Sequence, residues 1–154
     1  MPTYLPLNFA SRMNLKLLLY PDPGLTKPCL EVPPDYNIEP LVVAMQTLMR
    51  QHGGIGLAAP QVGKQLRLLV TCLAEIPGLI NPQITWQSKK MTTEFEGCLS
   101  IPDARVAVSR PKKIKVTGLD LARHKVDLEL ADYEARIVCH EIDHLNGRLI
   151  IDYA

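Results

Sequence analysis

Apolar residues recur along this chain in two rhythms, and those rhythms predict its elements. Ile38, Leu41, Val42, Met45, Leu48 and Met49 fall three and four residues apart, the period of a helix with one buried face. Gly53 and Gly54 follow, where helices commonly stop. From Asp132 to Leu145 the helical period returns, with Asp132 as N-cap candidate, Glu134 in the first turn and Asn146-Gly147 as the stop. Shorter patterns predict strands. Residues 66–73 form an apolar run suited to a largely buried strand, and 78–86 form another, interrupted at Asn81-Pro82. Residues 113–119 and 125–130 read as a hairpin across Leu121–His124, its second arm alternating cleanly as Lys-Val-Asp-Leu-Glu-Leu. Leu15 to Tyr20 is a short apolar run that stops at Pro21-Asp22-Pro23-Gly24, a turn signal, and a proline-rich stretch follows to Pro40. The expected fold is α+β, with small antiparallel or mixed sheets packed around a late helix.

Composition narrows this further. The chain has 154 residues, 47% of them hydrophobic and 21% charged, which suits one globular domain and excludes long disorder, coiled coil and collagen. We expect residues 13–154 to form that domain and residues 1–12 an extended N-terminal arm, whose two prolines fit a secretory signal poorly. Thirteen prolines, nine glycines and only 5% aromatics argue against a helical bundle. No apolar run reaches the length of a membrane span. Seventeen basic residues against sixteen acidic leave a net charge of +1, too little to steer the chain to nucleic acid or anionic lipid. Basic residues do cluster at Arg105, Arg110, Lys112, Lys113 and Lys115, but Asp120, Asp127, Glu129, Asp132 and Glu134 follow. Opposite charges across a solvated hairpin explain both groups. Cys29, Cys72, Cys98 and Cys139 show no close spacing, so free thiols in a reducing cytoplasm are expected.

The chemistry concentrates in three blocks. His140-Glu141-Ile142-Asp143-His144 lies in the late helix, where positions i and i+4 share a face, so both imidazoles can reach one metal ion. Glu141 stands beside the first histidine, able to act on a water without being a ligand. A catalytic site of this kind takes a third protein ligand. His52, His124 and the segment Glu96-Gly97-Cys98-Leu99-Ser100 all offer one; in that segment Gly97 allows close backbone approach beside the thiol. The third block, Gly54-Ile55-Gly56-Leu57-Ala58-Ala59-Pro60-Gln61, leaves a bare backbone that another chain can approach, and it lacks the Gly-Lys-Ser/Thr ending of a phosphate loop.

Together the three blocks resemble the peptide deformylase family, with its G-φ-G-φ-A-A-x-Q, E-G-C-φ-S and H-E-x-D-H motifs complete and in order. The resemblance runs from about Leu15 to Tyr153 and includes Y-P-D-P-x-L, I-N-P, S-I-P and H-L-N-G. It implies a metal-dependent hydrolase that removes the formyl group from N-formylmethionine on new polypeptides, releasing formate. It implies that Cys98, His140 and His144 hold one divalent ion, with Fe²⁺ favoured over Zn²⁺, Ni²⁺ or Co²⁺. Glu141 would be the general acid/base, and Gln61 and the Leu99 backbone N–H the oxyanion site. The backbones of Gly54, Ile55, Gly56 and Gly97 would face the substrate, and Ile55, Tyr133, Ile137 and the Arg136 stem would line its methionine pocket. The implied partners are formylated nascent peptides close to the ribosome, without the C-terminal docking helix of many bacterial members, and no specific nucleic acid or membrane. The expected setting is cytoplasmic, in a bacterial or virus-infected cell, with an organelle as the alternative. Two departures stand out. Asp132-Tyr133 replaces a usual glycine and smaller apolar residue, and Cys139 stands where glutamine often precedes the first histidine. One step along the helix, Cys139 should flank the ligand face without joining it. Two other readings compete: an H-E-x-x-H peptidase using Asp152 as third ligand, and a module that holds formylated termini without turnover.

Overall fold

A computed structural model describes residues 13–154; the N-terminal arm expected over 1–12 lies outside the described residues. Helix α1 spans Glu39–Gln51 and α2 spans Asp132–Leu145. Among the described residues seven strands form two sheets: β1 (Gly56–Ala58), β2 (Leu68–Thr71), β3 (Gly78–Gln87), β6 (Lys113–Leu119) and β7 (Lys125–Ala131) in the order β1-β2-β3-β6-β7, and β4 (Met91–Cys98) with β5 (Ile101–Pro111). Every strand pair is antiparallel. Among the described residues the parallel component is one isolated bridge, Leu30 to Leu66. The α+β expectation therefore stands, and so does the hairpin at 113–130.

Helix α1 packs its apolar stripe on one face of the large sheet, with Leu41, Val42, Met45 and Met49 against Leu57, Leu68, Val70 and Ile80. Helix α2 packs on the other, with Ala135, Val138, Cys139, Ile142 and Leu145 against Ala58, Leu69, Leu79, Ile114 and Val116. Leu68, Leu69 and Val70 alternate between the two cores, as a strand buried on both faces must. Both helices end in Schellman motifs. Gly53, at φ +64°, bonds to the Arg50 carbonyl while the Gly54 N–H bonds to Met49; Gly147, at φ +75°, bonds to His144 while Arg148 bonds to Asp143.

The structure corrects three readings and adds one element. The interruption at Asn81-Pro82 is a register shift inside a continuous β3, with Asn81 at φ +51° and its side chain bonded to the Val32 backbone. Asp132 is not the cap of α2: Ala131 occupies that position without a side-chain cap, and Asp132 sits at φ +53° with its carboxylate 4.0 Å from Lys112 Nζ. That left-handed backbone explains the glycine usual here in the resembled family. Arg110 leaves the solvated basic cluster; it is 3% exposed, inward on β5 beside Val108. The β4–β5 hairpin itself escaped the sequence patterns. Its alternation is masked because one face of β4 carries Thr92, Glu94 and Glu96 rather than apolar residues.

Candidate active site

The two sheets approach each other across α2, which contacts β1, β2, β6 and β7 of the large sheet and β5 of the hairpin. A cleft of about 520 Å³ opens there. Gly54, Ile55, Gly56, Gln61, Gly97, Cys98, Leu99, Tyr133, Arg136, Ile137, His140 and Glu141 all line it, and His144 lies beneath, 1% exposed. Thus every expected site residue converges on one place. His52 and His124 do not: the first is the exposed cap of α1, and the second is exposed beside Asp120. Asp152 is also elsewhere, its carboxylate bonded to the Leu149 N–H.

Helix geometry sets two of the three donors. His140 and His144, one turn apart, place their ring centroids 5.0 Å apart. The third donor comes from the hairpin, where a register irregularity between Glu96 and Cys98 turns the thiol toward α2. The donor atoms of Cys98, His140 and His144 lie within 4.8 Å of one another. Cys98 Sγ is 3.5 Å from His144 Nε2. A sulfur at ~2.3 Å and a nitrogen at ~2.1 Å on one tetrahedral ion would be about 3.6 Å apart, so the residues present fit a metal of that type.

Glu96 holds the first histidine. Its Oε1 lies 2.8 Å from His140 Nδ1, while Arg110 and Arg136 donate to the same carboxylate. Burial works to raise the Glu96 pKa, but the bonds from Arg110 and His140 outweigh it and bring it down to about 2. An ionised acceptor makes Nδ1 the donor and leaves Nε2 facing the cluster. For Glu141 the balance reverses. Burial pushes its carboxyl up to about 7, opposed by His140, and Oε2 has no hydrogen-bond partner among the described residues. Gly56 explains how β1 reaches this carboxyl, since a Cβ there would lie 2.5 Å from Glu141 Oε1. His144 is held well below the usual imidazole range by burial, and its Nδ1 also lacks a partner among the described residues.

Gln61 faces the cluster from a 3-10 turn, Ala59–Val62. Its Oε1 accepts from the Ala58 N–H at 2.9 Å, which assigns Nε2 to the cleft side, donating to Ser100 Oγ at 3.1 Å and lying 3.8 Å from Cys98 Sγ. Leu99 packs over Gly54, where a Cβ would come within 2.7 Å of its Cδ1. At Ile55 the carbonyl already accepts from Cys72 N–H on the sheet side, so β1 offers its opposite edge to a peptide. The Ile55 and Tyr133 side chains are exposed at 46% and 56% on the rim. Arg136 contributes only its stem, because its guanidinium bonds to Glu96, Thr92 and the Val108 carbonyl and pairs with Glu94.

Sequence reasoning quoted Glu96, Ser100 and Asp143 inside motifs without giving them work, and it missed Arg110 and Tyr153. Two-residue periodicity was the available signal for Arg110, which shares the inward face of β5 with Val108. No local pattern marks Tyr153.

The family model for polypeptide deformylase matches residues 14–154. A peptide deformylase of Hydrogenovibrio crunogenus is 42% identical over 145 residues, covering 91% of this chain and 85% of its own. The chloroplastic/mitochondrial peptide deformylase 1B of Arabidopsis thaliana is 39% identical, with 90% of this chain and 53% of that one covered. Among solved structures, the peptide deformylase of Thermotoga maritima matches with a TM-score of 0.86 at 38% identity, covering 90% of this chain and 96% of that one.

Proposed function

The chain belongs to the peptide deformylase family, and from that premise we propose the division of labour among its site residues. The reaction is hydrolytic removal of the formyl group from the N-terminal formylmethionine of new polypeptides, with release of formate. The family is metal-dependent, and Cys98, His140 and His144 form the cluster able to hold the ion. A divalent ion held there supplies Lewis acidity toward water and toward developing negative charge. One thiolate and two imidazoles suit Fe²⁺, Zn²⁺, Co²⁺ or Ni²⁺, and we take Fe²⁺ as the native ion.

Glu141 removes a proton from the attacking water and returns it to the departing amine. Its carboxyl lines the cleft beside the ligand cluster, where it can take a proton from one group and give it to the other. Gln61 Nε2 and the Leu99 N–H stabilise the oxyanion, and Gln61 is already oriented by Ala58 and Ser100. The backbones around Gly54–Gly56 and Gly97 hold the peptide as an added strand at the β1 edge. Ile55, Tyr133, Ile137 and the Arg136 stem receive the methionine side chain.

We take residues 13–154 as one catalytic domain, acting close to the ribosome while its substrates are being made. Co-sedimentation with translating ribosomes tests that placement. None of the described helices is long and apolar enough to cross a membrane. We place the chain in the cytoplasm; the Arabidopsis relative's name supports an organelle as the alternative. The observation that carries the site assignment is the convergence of Cys98, His140 and His144 beside Glu141. Anaerobic purification, metal analysis and a formate-release assay on formyl-Met-Ala peptides test it. One ion per chain and formate release are expected, and Cys98→Ser should lose the ion. Full metal retention in that variant would remove Cys98 from the ligand set.

A further inference from the structure

Behind the metal cluster lies a run of buried and half-buried charges to which the proposed chemistry assigns no step. Glu96 Oε1 meets Arg110 Nη2 at 2.9 Å and His140 Nδ1 at 2.8 Å; Oε2 accepts from Arg110 Nε at 2.9 Å and Arg136 Nη1 at 2.7 Å. These contacts use both lone pairs of each oxygen. Arg110 spends two nitrogens on Glu96 and keeps Nη1, which donates to Asp143 Oδ2 and, at 3.0 Å, to the Tyr153 hydroxyl. That hydroxyl donates in turn to Asp143 Oδ2 at 2.7 Å. Arg110, Asp143 and Tyr153 thereby close a ring of three hydrogen bonds between β5, α2 and the 3-10 turn Ile150–Tyr153. The Tyr153 ring also packs against two guanidiniums, with Arg148 Cζ 4.0 Å and Arg110 Cζ 4.8 Å from its centroid.

We propose that Tyr153 is a positioning residue for the metal ligand His140, acting through Arg110 and Glu96. The inference rests on the reading of His140 as a ligand. A guanidinium bound bidentately at one end still needs its other end fixed before the fork has one orientation. Asp143 Oδ2 supplies the charge for that end. The Tyr153 hydroxyl supplies the donor that keeps Oδ2 turned inward and an acceptor for the second Nη1 proton. With the fork fixed, the Glu96 carboxylate has one orientation, and so does the Nδ1–H of His140. The imidazole then presents Nε2 to Cys98 and His144 instead of sampling rotations about its own axis. Ring stacking on Arg148 is a separate contribution, concerned with packing of the terminal turn.

Tyr153→Phe separates the two, since it keeps the ring and removes only the hydroxyl. The probe is Co²⁺, loaded into the full chain, with its dissociation constant measured by competition against a chromogenic chelator and its visible absorption recorded. In Tyr153→Phe the dissociation constant should rise about 3- to 10-fold, at or below the ~10- to 100-fold range for direct outer partners of a ligand, and the absorption bands should shift. Asp143→Asn opens the same ring from the other side and should act in the same direction. Arg148→Ala keeps the hydroxyl and should match wild type in both readouts. Wild-type affinity and spectrum in folded Tyr153→Phe, or in Asp143→Asn should the first not fold, would overturn the inference. Equal shifts in Arg148→Ala would overturn it too, because packing alone would then suffice. If the wild-type chain binds no Co²⁺, the ligand reading fails and the inference with it; tight wild-type binding with unaltered variants sinks the inference alone.

Discussion

Both faces of the five-stranded sheet are covered by apolar packing, but the two helices that cover them differ on the side turned away from it: α2 also faces the buried charges of the β4–β5 hairpin. On the α1 face the buried residues are apolar throughout, Leu41, Met45, Leu57, Leu68, Val70 and Ile80 among them. Beyond the α2 face the protein buries Glu96, Arg110, Arg136, Glu141 and His144. The first arrangement stabilises by removing apolar area from water, and deviations in it are tolerated if volume is kept. The second must satisfy each charge individually, since an unpaired buried charge costs several kcal/mol. The difference separates stability from chemistry: the apolar packing on the α1 side should be alterable without touching the reaction, whereas changes among the charges between α2 and the β4–β5 hairpin should reach the site.

The sharpest way to break that division is Glu141→Gln. The amide has the carboxylate's shape but cannot shuttle a proton, so turnover should fall about 10²- to 10⁴-fold with metal content retained. Formate release and metal analysis on the same preparation give the answer. Unchanged activity would take Glu141 out of the mechanism and leave the polar side without its central function.

Next in size is Glu96→Ala, which leaves Arg110 and Arg136 buried without their shared carboxylate. Breaking a buried pair from one side costs about 3–5 kcal/mol, and here metal affinity should fall as well because His140 loses its Nδ1 acceptor. The pH dependence follows from the sign of the shift. The folded pKa of Glu96, about 2, lies below the ordinary carboxylate value. Its stabilisation is therefore present above pH ~4.5 and is lost as pH falls toward 2. Acid titration of unfolding should show this loss in wild type and not in the variant. An identical acid limb in both would mean Glu96 is not the group responsible.

The counterpart on the other face is Met45→Ala, at a fully buried position of α1. It should cost about 2–5 kcal/mol by denaturant unfolding, leaving kcat and metal affinity as they were. A loss of metal there would show that the two faces are coupled through the sheet.

The same division governed what the sequence disclosed. Apolar periodicity located α1, β2, the β6–β7 hairpin and the extent of α2, because in those elements burial and hydrophobicity coincide. The three motif blocks located Gln61, Cys98, His140, Glu141 and His144, which meet in one cleft although the first and last are far apart in the chain. The β4–β5 hairpin was hidden because the inward positions of β4 are polar, and Arg110 because a charged residue reads as surface even at the end of the Ala104-Val106-Val108 alternation. Tyr153 was hidden for another reason: its partners, Arg110 and Asp143, are set by tertiary approach and by nothing near it in sequence.

Cys139 marks the border between the two regions and yields the smallest expected effect. It precedes His140, yet it is 4% exposed and packs with Leu69, Val138 and Ile142 in the apolar core. A helical step of about 100° is enough to carry one residue from ligand face to core. Burial pushes its thiol up to about 11, so at pH 8 almost no thiolate is available and alkylation should be slow, whereas the exposed Cys72 should react readily. Cys139→Ala should cost about 1 kcal/mol in stability, as an ordinary core truncation does, and leave metal affinity, turnover and peroxide sensitivity at wild-type values. The larger Cys139→Gln would confuse the outcome, because it adds volume and an amide to a closed apolar site. If the alanine variant did alter metal affinity or peroxide sensitivity, the charged side would extend one residue further into the helix than its contacts show, and Cys139 would belong with Glu96 and Arg110 rather than with Leu69 and Val138.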